Sequence, residues 1–509
     1  MTGALPRLMR GSSGASMAPP APPAAGILHL GLGSFHRAHQ AVYTAAALAA
    51  GSGDDWGIVG VASRSRSVVD AMRVQDMLYA VAEISPAGTR LAVPAVHTDA
   101  FVAADEPDRV VQAIADPAIR IVTLTVTENG YSYSPATGHL DVASPVIAAD
   151  LQGGSPASTI GQLARGIQRR AAASGAPLTV LSCDNLAANG SHTRRLVQEF
   201  LQSLPGAEGA EALAFLDERV SFPSSMVDRI VPSTTPELRT RVSGLLGARD
   251  DIPVPAEPFT MWAIEDDFRA GRPAWEAGGA VFTDEVGRYE QMKVRLLNGT
   301  HSLIAYLGAL RGVETIPEAI GLADIDAAAR IVLADEYAPS IEMPSGVDFD
   351  DYQRELFERW GNTALGHRTT QVGTDGSVKL RQRIPEPAVR ALENGTMPHL
   401  IALTVASYLS CLAPLPGFQP GRFADAMTDA ARPRLAEAAA GARNGEGVAD
   451  AAIAGLQLFG EELAGRPAFI TRVGELIDTI TGGGVEAAVA DSVAAAQAEA
   501  SGIRHEVSA

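Results

Sequence analysis

One junction constrains this chain more than any other. The apolar run Ile27–Leu30 passes directly into Gly31-Leu32-Gly33, and an Ala-rich stretch, Ala38–Ala50, follows. A strand, a glycine turn and a helix in that order aim backbone N–H groups and the positive end of the helix at one point, where a pyrophosphate can sit. Gly31 permits the tight turn, and Gly33 lets the backbone approach a phosphate. The third glycine of the usual pattern, which lets the helix pack closely on the strand, is replaced by His36, in a basic group with Arg37 and His39. The dinucleotide fingerprint is therefore met only in part, and a lone G-x-G recurs by chance. Its weight comes from the alternation that follows.

That alternation is of strand with helix. Trp56–Val61, Ile121–Val126 and Leu178–Ser182 read as buried strands, with helical patterns over Thr159–Ala173 and from about Ser191 to Leu204. Strands separated by helices imply a parallel sheet covered on both faces. After about residue 286 β-branched runs become scarce. Met292–Leu310 reads as one long amphipathic helix, followed by helical patterns at Ile325–Tyr337, Tyr352–Trp360, Pro385–Asn394, Leu400–Leu412, Arg432–Ala440, Val448–Leu463 and Gly484–Ala500. With 509 residues, two domains are expected. The expectation is an α/β chain: a disordered tail over 1–26, a Rossmann-like domain over 27–286, and a mostly α-helical domain over 287–509.

Charge and cysteine content exclude several classes. A net charge of −19 disfavours nucleic acid and anionic membranes as partners. It leaves room for an anionic small substrate in a locally cationic pocket. There are two cysteines, Cys183 and Cys411, and no C-x-x-C. A cysteine-based structural zinc site is excluded, a disulfide framework is implausible, and a cytoplasmic setting is the default. Residues 1–26 lack the continuous apolar region of a secretory signal. Leu400–Leu415 is too short and too polar for a membrane span and reads as a buried helix.

Five further stretches bear on chemistry. After the second strand, where an acid usually takes the ribose 2′-hydroxyl, the chain reads Val61-Ala-Ser-Arg64-Ser-Arg66-Ser, without an acid. The two arginines suit a 2′-phosphate or merely a solvated loop, so NAD and NADP both stay open. In YEQMKVRLLNGTHSLIAYL, Tyr289–Leu307, Lys293, Asn298 and His301 fall at roughly 0°, 140° and 80° on an α-helix, on one broad side. A lysine in a desolvated cleft gives up its proton more easily and can act as a general base on an alcohol. Asn298 could then donate to the oxygen that gains charge, and His301 could orient a hydroxyl. An amphipathic surface helix with a satisfied histidine is the alternative. Tyr289 and Lys293 also form Y-x-x-x-K, but the length of the chain and its glycine spacing count against a short-chain dehydrogenase. Asn185 and Asn189 lie in LSCDNLAANG, after a strand, where such sheets carry their ligands, although Asn-Gly is also simply a turn. Asp228 and Arg229 sit in the apolar run FPSSMVDRIVP, which suits a buried ion pair, and Glu128 follows the Ile121–Val126 strand in TVTENGY.

Together these stretches resemble the polyol-specific long-chain dehydrogenases, a family that includes mannitol 2-dehydrogenase, arabinitol dehydrogenase and fructuronate reductase. The matching motifs are GLGSFHRAHQAVY, TVTENGY, SCDNLAANG, SFPSSMVDRIVP, WAIEDDF with GRPAW, and above all KVRLLNGTH, in order from about residue 27 to 310. The resemblance implies a metal-independent enzyme using NAD, with NADP left open. It implies Lys293 as general base, Asn189 and Asn298 as the amides holding the reacting oxygen, and His301 as the histidine of K-x(4)-N-x-x-H. It further implies Asp228 at the substrate site and Glu290 on a proton route. Gly31, Gly33, Phe35, His36, Arg37, Glu128 and Asn185 are implied around the coenzyme.

The run HRTTQVGTDGSVKLRQR, His367–Arg383, carries five basic residues against Asp375 alone. It resembles the fructuronate reductase version more than the mannitol version. A sugar acid needs a cation for its carboxylate, whereas a neutral polyol does not. Arg368 and Lys379 are the candidates, against the alternative of a basic surface loop. The best reading is interconversion of D-mannonate and D-fructuronate, with mannitol or arabinitol dehydrogenation as the alternative and a monomer as the expected state. A dinucleotide-binding sensor without catalysis would lack Lys293 or Asn298; both are present.

Overall fold

The computed structural model describes residues 5–12, 22–53, 55–134 and 137–507, without the side chains of 128, 129, 208 and 500–507. The chain divides into two compact units, Met1–Gly287 and Arg288–Ala509.

In the first unit six parallel strands form one sheet: β1 (Ala25–Leu30), β2 (Gly57–Ala62), β3 (His97–Val102), β4 (Ile121–Leu124), β5 (Leu178–Ser182) and β6 (Val220–Ser221). Their order across the sheet is β3-β2-β1-β4-β5-β6, the doubly wound dinucleotide-binding arrangement. β1, β4 and β5 are buried almost throughout, as parallel strands covered on both faces must be. A core of Leu28, Val122, Leu163, Ile167, Phe200 and their neighbours fills one face, and a second core with Ile27, Tyr43, Trp262 and Trp275 fills the other. β3, HTDAFV, was not anticipated, because its polar half hides the apolar one. Two small three-stranded sheets complete the unit.

Residues 5–12 depart from the expected disordered tail. Leu8 is fully buried and its N–H donates to the Arg249 carbonyl at 2.9 Å. Leu8 gains a buried apolar site and a backbone bond, which together offset the cost of ordering a few residues.

The second unit is helical. His399–Leu412 is buried at every position from Leu400, and no helix among the described residues is long and apolar enough to cross a membrane. Two expectations fail here. Val448–Leu463 is not one helix: Gly445–Asp450 passes into a π turn, Ala451–Gly455, and the chain then turns at Gln457 with φ +49°. Pro467–Gly483 is a 17-residue helix that the sequence pattern did not suggest. The more consequential departure lies in the expected helix Met292–Leu310. It is α-helical over Val286–Met292, π-helical over Lys293–Gly299 and α-helical again over Thr300–Leu310.

Candidate active site

In the first unit the glycine turn closes on the strand beside it. Gly31 has φ +110°, and a Cβ there would stand 2.1 Å from the Thr125 carbonyl oxygen at the end of β4. No other residue fits. The Thr125 hydroxyl donates back to Gly31 O at 2.8 Å. At Gly33 the opposite holds: a Cβ would meet nothing nearer than Gly31 O at 3.6 Å. The backbone there is open on the side a phosphate would approach, and the short helix α1 (Ser34–Ala38) begins at once, with Gly33 as its cap. The turn therefore fits a dinucleotide by its own geometry.

His36 and Arg37 do not play the coenzyme-binding part expected of them. The His36 ring is fully buried and stacked on His29 of β1, with centroids 3.4 Å apart, and its Nε2 lies 3.0 Å from Nε2 of His97 in β3. The ring fills the space between helix and strand that a third glycine would have closed. Burial holds His29 and His97 down to about 3 and His36 well below its ordinary value, so the cluster is neutral at physiological pH. Arg37 is 3% exposed and donates to Ile252 O at 2.7 Å and Gly33 O at 3.2 Å. It ties the turn to the Ile252 segment rather than facing a phosphate. Phe35 is half-buried and stacks on His39. Asn185 is exposed in the loop after β5. The Glu128 side chain lies outside the described residues.

Asn189 also departs from its expected role. It is fully buried, and its amide donates to Ser225 O at 2.8 Å, Asp184 O at 3.2 Å and Ser182 O at 3.4 Å, while its oxygen accepts from Ser225 N at 3.0 Å. Every polar group of the side chain is engaged in joining the end of β5 to Ser225–Asp228. In this arrangement both N–H groups are taken by backbone carbonyls, and the side chain braces the loop. Asn189→Ala is expected to destabilise this unit by about 2–3 kcal/mol, because it strands a buried N–H and carbonyls. An unchanged melting transition with activity lost would return the residue to the chemistry. Asp228 is buried at the end of its strand. Its neighbour Arg229 pairs with Glu83 at 2.8 Å and donates twice to Glu257 O, so the buried ion pair that this run suited is made with Glu83.

In the second unit Lys293 opens the π-helix and Asn298 lies five residues on. A π turn closes from i to i+5, so Asn298 comes round one turn above Lys293, nearer than an α-helix would bring it. Both side chains are half-buried, as is Glu290 in the preceding helix. The Asn298 amide makes no hydrogen bond among the described residues, in contrast to that of Asn189. Its backbone carbonyl is held twice, by Ser302 Oγ at 2.9 Å and by Arg383 Nη1 at 3.1 Å. Gly299 leaves room for Tyr337, whose Cζ would stand 2.6 Å from a Cβ there. Arg295, buried within the same turn, holds the Ser340 carbonyl and Glu386.

His301 is 7% exposed and its Nε2 has no hydrogen-bond partner among the described residues. A buried polar atom left so calls for a ligand or water. The ring packs edge-on to His367, with centroids 5.0 Å apart, and near Trp360. Burial holds His301 well below its ordinary value, and the fields of His367, Arg383, Arg359 and Lys379 push the same way. It is a neutral imidazole among cations. His367 is lowered to about 4 by burial, then by Lys379 and Arg359. The Lys379 amine donates to Thr374 O at 2.6 Å and Val372 O at 3.3 Å, and burial lowers its pKa. Arg368 stands apart: its side chain is 65% exposed and approaches Glu314 at 3.6 Å. Of the two carboxylate candidates only Lys379 joins this cluster. Arg383 and Arg359 do join it, although the sequence did not single them out. Lys379 and Arg383 lie four apart on one helix, Gly376–Arg383, and so share a face; that spacing was the available signal.

Both cysteines are buried, with burial pushing each thiol up. Among the described residues no group of three or more His, Cys, Asp or Glu side chains is placed to hold a metal ion.

Comparison with known proteins bears on this arrangement. Residues 25–277 match the mannitol dehydrogenase Rossmann domain and residues 285–481 the mannitol dehydrogenase C-terminal domain. The chain is 39% identical to D-mannonate oxidoreductase of Escherichia coli over 75% of its length and 79% of that protein. It is 38% identical to mannitol 2-dehydrogenase of Cereibacter sphaeroides over 75% and 79%. Among solved structures, mannitol 2-dehydrogenase of Pseudomonas fluorescens, in ternary complex with NAD and D-mannitol, superposes with a TM-score of 0.81 at 32% identity, over 95% of this chain and 99% of that one. The chain belongs to the mannitol dehydrogenase family.

Proposed function

We propose that this chain is an NAD-dependent secondary-alcohol dehydrogenase that interconverts D-mannonate and D-fructuronate. The observation that carries the substrate class is the cationic cluster of Lys379, Arg383 and Arg359 around the neutral His301, since a neutral polyol gives such a cluster nothing to neutralise. The relative named D-mannonate oxidoreductase supports the same reading. A second reading, mannitol or arabinitol dehydrogenation, is favoured by the neighbour whose structure holds D-mannitol.

Gly31, Gly33 and the first turn of α1 would hold the dinucleotide, whose nicotinamide supplies the hydride acceptor when bound. In oxidation the neutral Lys293 amine takes the hydroxyl proton of the substrate. The Asn298 amide donates to the same oxygen as negative charge develops on it. His301 offers Nε2 to a neighbouring hydroxyl, which fixes the orientation of the chain of carbinols. In reduction Lys293 returns the proton.

Absorbance at 340 nm with D-mannonate, D-mannitol, D-arabinitol and the corresponding keto compounds, each with NAD and with NADP, tests the proposal. Turnover of D-fructuronate with NADH at well above the rate with D-fructose is expected; turnover of the neutral substrates alone would select the second reading. In the same assay Arg368→Ala is expected to leave KM for the sugar acid within about twofold, because an exposed pair of this kind contributes little. A tenfold rise would place Arg368 on the substrate.

A further inference from the structure

Arg383 is anchored in an unusual way. Only Nη1 of its guanidinium is used within the described residues, donating to Ser302 Oγ at 2.8 Å and to the Asn298 carbonyl at 3.1 Å. Ser302 Oγ in turn donates to that carbonyl. The edge formed by Nε and Nη2 makes no hydrogen bond among the described residues, and that edge presents two parallel N–H groups in the geometry that suits a carboxylate. The side chain is sunk in the unit but keeps part of its surface accessible. Burial lowers its pKa to about 10, so it remains charged at neutral pH. Tyr306 and Tyr337 are its titratable neighbours, and no acid is among them. Asp375 and Asp429 act instead on Lys379. A guanidinium held in this way keeps the forked edge that pairs best with a carboxylate clear of the contacts that anchor it.

We propose that Arg383 is the residue that selects sugar acids over neutral polyols, by taking the terminal carboxylate of the substrate on its Nε/Nη2 edge. The inference rests on the sugar-acid reading above and adds to it the group that recognises the acid. The Nη1 anchor fixes the guanidinium against the backbone of Asn298, the residue whose amide meets the reacting oxygen. Reacting carbon and carboxylate are thereby held at a set separation, so the length of the sugar chain is measured as well as its charge. Lys379 supplies a second, less directional cation on the same helix face.

The test compares D-fructuronate with D-fructose, a neutral ketose of the same chain length, in wild type, Arg383→Met and Arg383→Lys, and follows the ratio of the two kcat/KM values. Any general loss from loosening Asn298 affects both substrates and cancels in the ratio. Arg383→Met is expected to lower the ratio by about 100-fold, mainly through KM for the acid. Arg383→Lys, which keeps the charge but loses the fork, is expected to lower it by about tenfold, and it decides the matter if the methionine variant does not fold. A ratio unchanged within threefold in the variants that fold would overturn the proposal and leave Arg383 as a brace for Asn298. Failure of the underlying reading shows separately, as a wild-type enzyme that does not reduce D-fructuronate at all.

Discussion

Lys293→Ala is expected to lower turnover by roughly 10²–10⁴-fold, the range lost when a positioned general base is removed. The pH profile of the variant should lose the ionisation that the amine imposes on the wild type, because no other amine replaces the one removed. Coenzyme affinity, read from the quenching of protein fluorescence by NADH, should stay within a few-fold, since Gly31 and Gly33 belong to the other compact unit. Lys293 is half-buried, so truncation leaves no large cavity and the melting transition should hardly move. Near-normal turnover at every pH would remove Lys293 from the chemistry and, with it, the assignment of the π-helix as the catalytic segment.

The second large effect is on stability in mild acid. His29, His36 and His97 are fully buried, and burial depresses all three well below 6.5. Below pH 6.5 the unfolded chain binds protons at these positions and the folded chain does not. The stability they confer is thus complete above about 6.5 and is lost as pH falls, down to about 3 for His29 and His97. Each contributes up to about 1.4 kcal/mol per pH unit, with half that slope at about 6.5, so between pH 6.5 and 5 the three together should cost at most about 5 kcal/mol. That is comparable to the whole stability of many domains. Denaturant titrations at pH 7.5, 6 and 5, following the tryptophans of the first unit, should show the midpoint collapsing. A constant midpoint would mean that the cluster accepts protons in place, and His36→Phe, which keeps the stacking on His29 without the titration, should flatten the profile by about a third.

Much of the dinucleotide-binding half was legible because its signals are local. Leu178–Ser182 and Thr159–Ala173 are found where the apolar pattern places them, and the turn at Gly31 follows from two glycines after a strand. The failures share a physical cause: they depend on what a residue faces, which spacing along the chain does not report. A motif match cannot tell whether His36 and Arg37 point at a phosphate or back into the sheet, and here both turn inward. Nor can it tell that the Asn189 amide is consumed by Ser225 and its neighbours while that of Asn298 is not. In Pro467–Gly483 the β-branched residues lower intrinsic helix propensity, and burial of Phe469, Val473, Leu476 and Ile480 prevails over it. The face shared by Lys293, Asn298 and His301 was identified with the wrong rotation per residue, because a 3.6-residue repeat was assumed across a segment that does not keep it.

A coil loosened between Lys293 and Gly299 has practical weight for anyone recombining this protein with its relatives. Cutting out a single position there would let the segment relax into the commoner winding and draw Lys293 and Asn298 away from the side of the helix they now share. Crossovers should therefore fall outside this segment, and the stretch should travel together with Tyr337 and Arg383, which pack against it and hold its backbone.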